Sequence, residues 1–159
     1  MTGAVTGIFI AAAAGAPTRS VVEASAVAGN GLDGDRYRAG VGFYSAIPTT
    51  PGARELTLIE EEQLDEVARD GFPLGPGEHR RNLTTRGVAL DGLLGRRFQI
   101  GNVLCEEVRA CPPCNHLEAV TGRALLAPLI DRGGLRARIV TGGMIRVGDV
   151  ISPVDDSRD

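Results

Sequence analysis

LRARIVTGGMIRVGDVI, residues 135–151, is the stretch whose reading decides the fold. Over residues 135–140 apolar positions alternate with Arg136 and Arg138, a period of two that turns one strand face to a core and the other to water. Gly142 and Gly143 turn the chain, and residues 144–151 close it around Gly148 and Asp149. Working outward, residues 5–12 and 21–28 are β-branched or small apolar runs around a turn at Gly15-Ala16-Pro17. Residues 83–85 and 98–108 add strands, with a turn over 91–95. Thr57-Leu58-Ile59-Glu60 fits a capping box that opens a helix to about Asp70, with Ile59, Leu64, Val67 and Ala68 apolar and Gly71 as stop. Its Glu60-Glu61-Glu62 run reads as a solvated face. Residues 117–130 give one or two short helices broken near Thr121-Gly122. Many short strands, glycine turns and few helices predict a β-rich (α+β) chain, a β-barrel with a few short peripheral helices and no βαβ alternation. Residues 1–153 are expected to form a single domain and 154–159 a disordered tail.

Composition narrows the function classes. At 159 residues the chain is long enough to bury one core without staples. A net charge of −3, 4% aromatic residues and no Trp argue against nucleic acid as a partner, because backbone binding needs clustered positive charge and single strands need stacking platforms. All 17 basic residues are Arg. With no Lys, the chain has no side-chain amine for a Schiff base and holds no covalent pyridoxal phosphate. Three cysteines are too few, and odd in number, for a disulfide framework, which favours a cytoplasmic location. The apolar N-terminal run carries no preceding positive charge and stops at Arg19, so it reads as a strand, with no membrane association.

The chemistry-bearing residues gather in VRACPPCNHL, residues 108–117. A C-x-x-C spacing around Pro112-Pro113 suits a redox dithiol, half a zinc site, one reactive thiol with a tuning neighbour, or two structural cysteines fixed by prolines. Zinc would take Cys105 and His116 as further ligands to Cys111 and Cys114. A redox dithiol would call for a βαβ context. Cys114 stands out as a single functional thiol, because it lies where strand passes into helix with Arg109 and His116 nearby, all of which favour thiolate. A thiolate ligates a soft metal such as molybdenum or carries sulfane sulfur as a persulfide. Cys105, within an expected strand, reads as a small buried hydrophobe. His79-Arg80-Arg81-Asn82 suits a small anionic ligand, since guanidinium forks grip phosphate and Asn can donate and accept at a heterocycle edge. Asp35 and Arg36 lie in GNGLDGDRYRAGVG, residues 29–42. They either face the same pocket or form local pairs on a solvated hairpin loop.

GLDGDRY (31–37), ELTLIE (55–60), RRNLTTRGVALDGLLGRRFQIG (80–101), CPPCNHL (111–117) and GGLRARIVTGGMIRVGDVI (133–151) follow one another in an order and spacing that resembles the MOSC domain. That family is named for the C-terminal domain of molybdenum cofactor sulfurases. The resemblance implies a β-barrel and a functional cysteine at Cys114, with Cys111 as its neighbour. It further implies the molybdenum cofactor (molybdopterin) as ligand, with Cys114 on the metal and Asp35, Arg36, Arg80, Arg81, Asn82 and His116 around it. Some members, with electron-transfer partners, reduce N-hydroxylated compounds. Others are linked to sulfur transfer from a pyridoxal-dependent desulfurase. This chain carries Tyr37, Arg38 and His116 where reductase-type members often have His and Lys. The expectation is a stand-alone protein that binds molybdenum cofactor, carries sulfane sulfur on Cys114, or both, served by a separate cysteine desulfurase or electron-transfer protein. The alternatives are a non-enzymatic module for an anionic metabolite and a structural zinc site.

Overall fold

The computed structural model describes residues 2–155. Its frame is a closed barrel of seven strands: β1 (Gly3–Ile10), β5 (Leu56–Glu60), β6 (Leu83–Arg86), β7 (Arg97–Ile100), β8 (Val103–Ala110), β9 (Leu135–Thr141) and β11 (Val150–Pro153). Around the ring the order is β11-β7-β8-β9-β5-β6-β1, and pairing of Gly3 with Ile151 and Ala4 with Val150 closes it. Closure leaves those seven strands no free edge. A short strand β2 (Arg19–Val21) hangs on β1. Three more, β3 (Glu23–Val27), β4 (Gly31–Leu32) and β10 (Gly143–Arg146), form a small second sheet in the order β10-β3-β4. Ala24, Ala26, Leu32 and Ile145 of that sheet join the barrel's own core of Val5, Ile8, Leu56, Leu58, Leu83, Phe98, Cys105, Leu135, Ile139 and others. The alternation at 135–140 is observed as expected: Leu135, Ala137 and Ile139 are buried, Arg136 and Arg138 are not.

Outside the wall lies a second, smaller core. Ile59 on β5, Val67 of α1 (Glu61–Arg69), Leu117 of α2 (Asn115–Thr121), Leu125 and Leu129 are buried together, with Leu64, Phe72, Leu74 and Cys114 packed against them. At about 1.5–3 kcal/mol per fully buried aliphatic side chain, this cluster is enough to dock both short helices, which would not persist alone. Gly122, at φ +67°, ends α2 where the break near Thr121-Gly122 is predicted.

Several expectations are corrected. Residues 57–60 open no helix; they belong to β5, and the helix starts at Glu61 with Glu60 as an N-cap that makes no side-chain cap bond. Leu56 and Leu58 are needed inside the barrel, and the Thr57 hydroxyl is taken by Asn82. A βαβ unit does exist, because β5 and β6 run parallel with α1 in the crossover. The expected strand at 98–108 is two antiparallel strands reversing at Gly101, whose φ is +57°. Residues 21–28 break at Val22 between β2 and β3. Glu60, Glu61 and Glu62 are not a bare solvated face: they accept from Leu90 N, Arg86 Nε and Gly87 N. At the C-terminus the Val154 N–H donates to Arg97 O, while residues 156–159 of the expected tail lie outside the described residues. Among the described residues no helix is long and apolar enough to cross a membrane.

Candidate functional site

The strand period that fills the barrel also builds the site on its outer face. Thr57 of β5 lies opposite Arg136 of β9, while their neighbours Leu56, Leu58, Leu135 and Ala137 point inward. Asn82, just before β6, locks this corner: its Oδ1 accepts from the Thr57 N–H (3.1 Å) and hydroxyl (3.2 Å), and its Nδ2 donates to Phe9 O (3.3 Å). Its side chain is therefore bound to protein on every side.

His79, Arg80 and Arg81 are 2–8% exposed. His79 Nδ1 accepts from the Arg81 N–H at 2.9 Å, and the ring meets Phe9 edge-on. Burial, with help from Arg81, pushes its pKa down to about 3, so the ring is neutral. Arg80 has φ +63°, a left-handed backbone that few non-glycine residues adopt. Arg80 and Arg81 then part company. The Arg81 guanidinium donates to the carbonyls of Gly133, His79, Cys111 and Pro112 at 2.9–3.2 Å. That of Arg80 donates only through Nη1, to Ala16 O at 2.7 Å, leaving Nε and Nη2 buried with no partner. Burial, then the nearby Arg36 charge, lowers the Arg80 pKa from its ordinary value. Arg36 itself is held by a buried ion pair with Asp35 at 3.0 Å, and Asp35 Oδ1 also accepts from the Ala11 N–H.

The cysteine loop is fixed by backbone contacts. The Cys111 N–H donates to Gly134 O at 2.8 Å, and its carbonyl accepts from Arg81. A Cβ on Gly133 would sit 2.1 Å from Cys111 O, so only glycine permits that approach. Cys111 is buried, and Cys114, the N-cap residue of α2, is half-buried. Both thiols, like that of Cys105, are free.

Residues 37–54 lie over the thiol. Phe43 stacks on His116 with ring centroids 3.9 Å apart and planes at 13°, and Tyr44 meets His116 edge-on. Tyr44 stands beside Cys114 in the cavity wall, and the neighbouring thiol, with burial, pushes its pKa up to about 12. His116 is pushed below its ordinary value by burial and by the charges of Arg80 and Arg36.

These groups enclose a cavity of about 50 Å³ lined by Cys111, Cys114, His116, Leu117, Tyr37, Tyr44, Thr57, Asn82 and five arginines: Arg36, Arg54, Arg80, Arg81 and Arg136. No Asp or Glu lines it. Of the six buried side-chain polar atoms without a partner among the described residues, four belong to this lining: Arg80 Nε, Arg80 Nη2, Arg136 Nε and His116 Nε2. Buried polar groups are nearly always satisfied, so unmet donors converging on one cavity mark an anion site.

The structure thus brings Cys111, Cys114, Arg36, Arg80, Arg81, Asn82 and His116 to one cavity and sets Asp35 behind Arg36. Arg81 and Asn82 spend their polar atoms on the chain itself. Arg109 lies away from the cavity, reaching the Thr49 hydroxyl. The zinc arrangement is overturned: Cys105 is inside the barrel core, its thiol pushed up to about 12 by burial. No cluster of three or more His, Cys, Asp or Glu able to hold a metal occurs among the described residues. Sequence reasoning missed Tyr44, Arg136 and Phe43. One signal was present, since half of the six aromatic residues fall at Tyr37, Phe43 and Tyr44 in a glycine-rich loop.

The sequence pattern of the MOSC domain matches residues 29–152. No curated protein sequence matches the chain. Among solved structures, the YuaD protein of Bacillus subtilis superposes with a TM-score of 0.77 at 20% identity, covering 95% of this chain and 94% of that one. YiiM of Geobacillus stearothermophilus gives 0.72 at 16% identity, covering 96% of this chain and 75% of that one. YiiM of Escherichia coli gives 0.67 at 19%, covering 100% and 72%. At such identities the likeness of structure speaks for the fold, and the match over residues 29–152 adds the family: the chain belongs to the MOSC domain family.

Proposed function

We propose that this MOSC protein binds an anionic ligand, the molybdenum cofactor, at the Cys114 cavity, and that Cys114 is its molybdenum ligand or a carrier of sulfane sulfur. The observation behind this reading is the set of unmet donors, Arg80 Nε and Nη2, Arg136 Nε and His116 Nε2, around a cavity that also holds a half-buried thiol and no carboxylate. A guanidinium with two adjacent free donors suits a phosphate, and a thiolate suits a soft metal, so these residues fit the cofactor's two ends. Arg80, Arg36 and Arg136 would meet the phosphate and Cys114 the metal. Asp35 orients Arg36, while Arg81 and Asn82 keep the walls in register. When bound, the cofactor supplies molybdenum redox chemistry.

The cavity, about 50 Å³, is small and would take one end of the cofactor beside the thiol. With no Lys for pyridoxal chemistry, this chain does not draw sulfur from cysteine itself, and its sulfur or electrons are supplied from outside it. Metal analysis and pterin fluorescence on protein purified without oxygen test the ligand role against Cys114→Ser. Loss of molybdopterin in the variant supports it, and equal content in both forms rules it out.

A further inference from the structure

We infer that the Cys114 cavity takes its sulfur from a small sulfane-sulfur donor with an anionic oxygen head, a thiosulfonate of the thiosulfate class. This rests on the reading of Cys114 as a sulfur carrier and adds the donor to it. Arg80, 8% exposed, keeps two N–H groups without acceptors, Arg136 keeps one, and both line the same cavity as Cys114. Its volume of about 50 Å³ has room for one small oxoanion beside the thiol. A neutral donor, such as a protein-bound persulfide, would leave those buried donors unmet. A sulfonate group satisfies them and adds the negative charge that the carboxylate-free lining lacks.

The chemistry balances without an outside oxidant or reductant. The Cys114 thiolate attacks the sulfane sulfur, forming a new S–S bond. The bond from that sulfur to the sulfonate sulfur breaks, and its electron pair leaves with sulfite. The proton released on forming the thiolate goes to solvent. The sulfane sulfur keeps its oxidation state, and Cys114 ends as a persulfide.

The test compares two donors on the whole chain. Protein is treated with thiosulfate, or with cysteine trisulfide plus an equivalent of cysteine, which together give cysteine persulfide and cystine, and intact mass reads the gain of one sulfur atom while sulfite release is assayed in parallel. Cyanide then removes the sulfur as thiocyanate. Wild type is expected to gain one sulfur from thiosulfate with one sulfite released, and Cys114→Ser none. Arg80→Gln is expected to lower the ratio of the thiosulfate loading rate to the trisulfide loading rate at least tenfold, the worth of one charged hydrogen bond. Sulfate should slow wild-type loading from thiosulfate and leave loading from trisulfide unchanged, a readout that stands even if Arg80→Gln does not fold. Loading from trisulfide but not from thiosulfate overturns the donor assignment and leaves the carrier reading standing. Loading from neither overturns both. Sulfate-insensitive loading, or a ratio unchanged in Arg80→Gln, also overturns the donor assignment.

Discussion

Arg81 Nη2 donates to the carbonyl oxygens of both Cys111, at 2.9 Å, and Pro112, at 3.2 Å, so one guanidinium holds the start of the cysteine loop. With Nε on Gly133 O and Nη1 on His79 O, it links β6's approach, the loop and the approach to β9. Removing it leaves three buried carbonyls, of Gly133, His79 and Cys111, and the part-buried one of Pro112 short of a donor. Arg81→Met is expected to lower unfolding free energy by about 2–4 kcal/mol in a denaturant titration. Arg81→Lys should recover little, because an ammonium cannot span the same four acceptors. An unchanged midpoint for Arg81→Met would show that the clamp carries no stability.

Gly133 reaches the same loop from the other side. A Cβ there would lie 2.1 Å from Cys111 O, and the contact is backbone, which cannot swing away. Gly133→Ala should destabilise by about 3 kcal/mol or more and speed alkylation of Cys111, buried in the native loop. Peptide mapping after a short iodoacetamide pulse reads the second effect directly.

Tyr44 lines the same cavity as Cys114, with its ring edge-on to His116. Tyr44→Phe removes the hydroxyl and keeps the ring. Loss of a donor beside a partly exposed thiolate is expected to slow Cys114 alkylation at neutral pH by roughly fivefold, about 1 kcal/mol. Phe43→Leu, which disturbs the same segment but leaves the hydroxyl, serves as control. If both variants alkylate alike, the effect comes from access and not from the hydroxyl.

His79 predicts a pH dependence of stability. Its folded pKa of about 3 lies below the unfolded value near 6.5, so below that pH the unfolded chain takes up a proton that the folded chain refuses. The stability contribution is therefore complete above about pH 6.5 and declines as pH falls toward about 3. Between pH 7 and 5.5, before most carboxylates titrate, wild type should lose about 1 kcal/mol. His79→Gln, which can still accept from the Arg81 N–H, should show a shallower profile over that window, the remaining slope coming from His116, whose pKa is also lowered. Equal slopes in urea titrations of the two proteins would place the pH dependence elsewhere.

Much of the frame was legible because it is local. Alternation at 135–140 specified one buried and one outward face, and the helix break at Thr121-Gly122 was written in a glycine that adopts left-handed backbone, while the strand after Gly142-Gly143 leaves the barrel to pair with β3. The reading failed where local chemistry offered two outcomes. Thr57 to Glu60 has the composition of a capping box, but Leu56 and Leu58 gain more by filling the barrel between β6 and β9 than by opening a helix.

The sequence alone determined that the candidate groups were thiols and guanidiniums, that no lysine amine was available, and that Cys114 stood out from Cys105 and Cys111. Only the tertiary structure separated two adjacent arginines into different roles. Arg81 meets carbonyls 30 and 52 residues away and becomes a clamp, while Arg80, turned by a positive φ, keeps two donors free in the cavity. The same closure brought Tyr44 and Arg136 to Cys114. Whether a buried donor is satisfied depends on which backbone atoms reach it through the fold, and no pattern of neighbours along the chain encodes that.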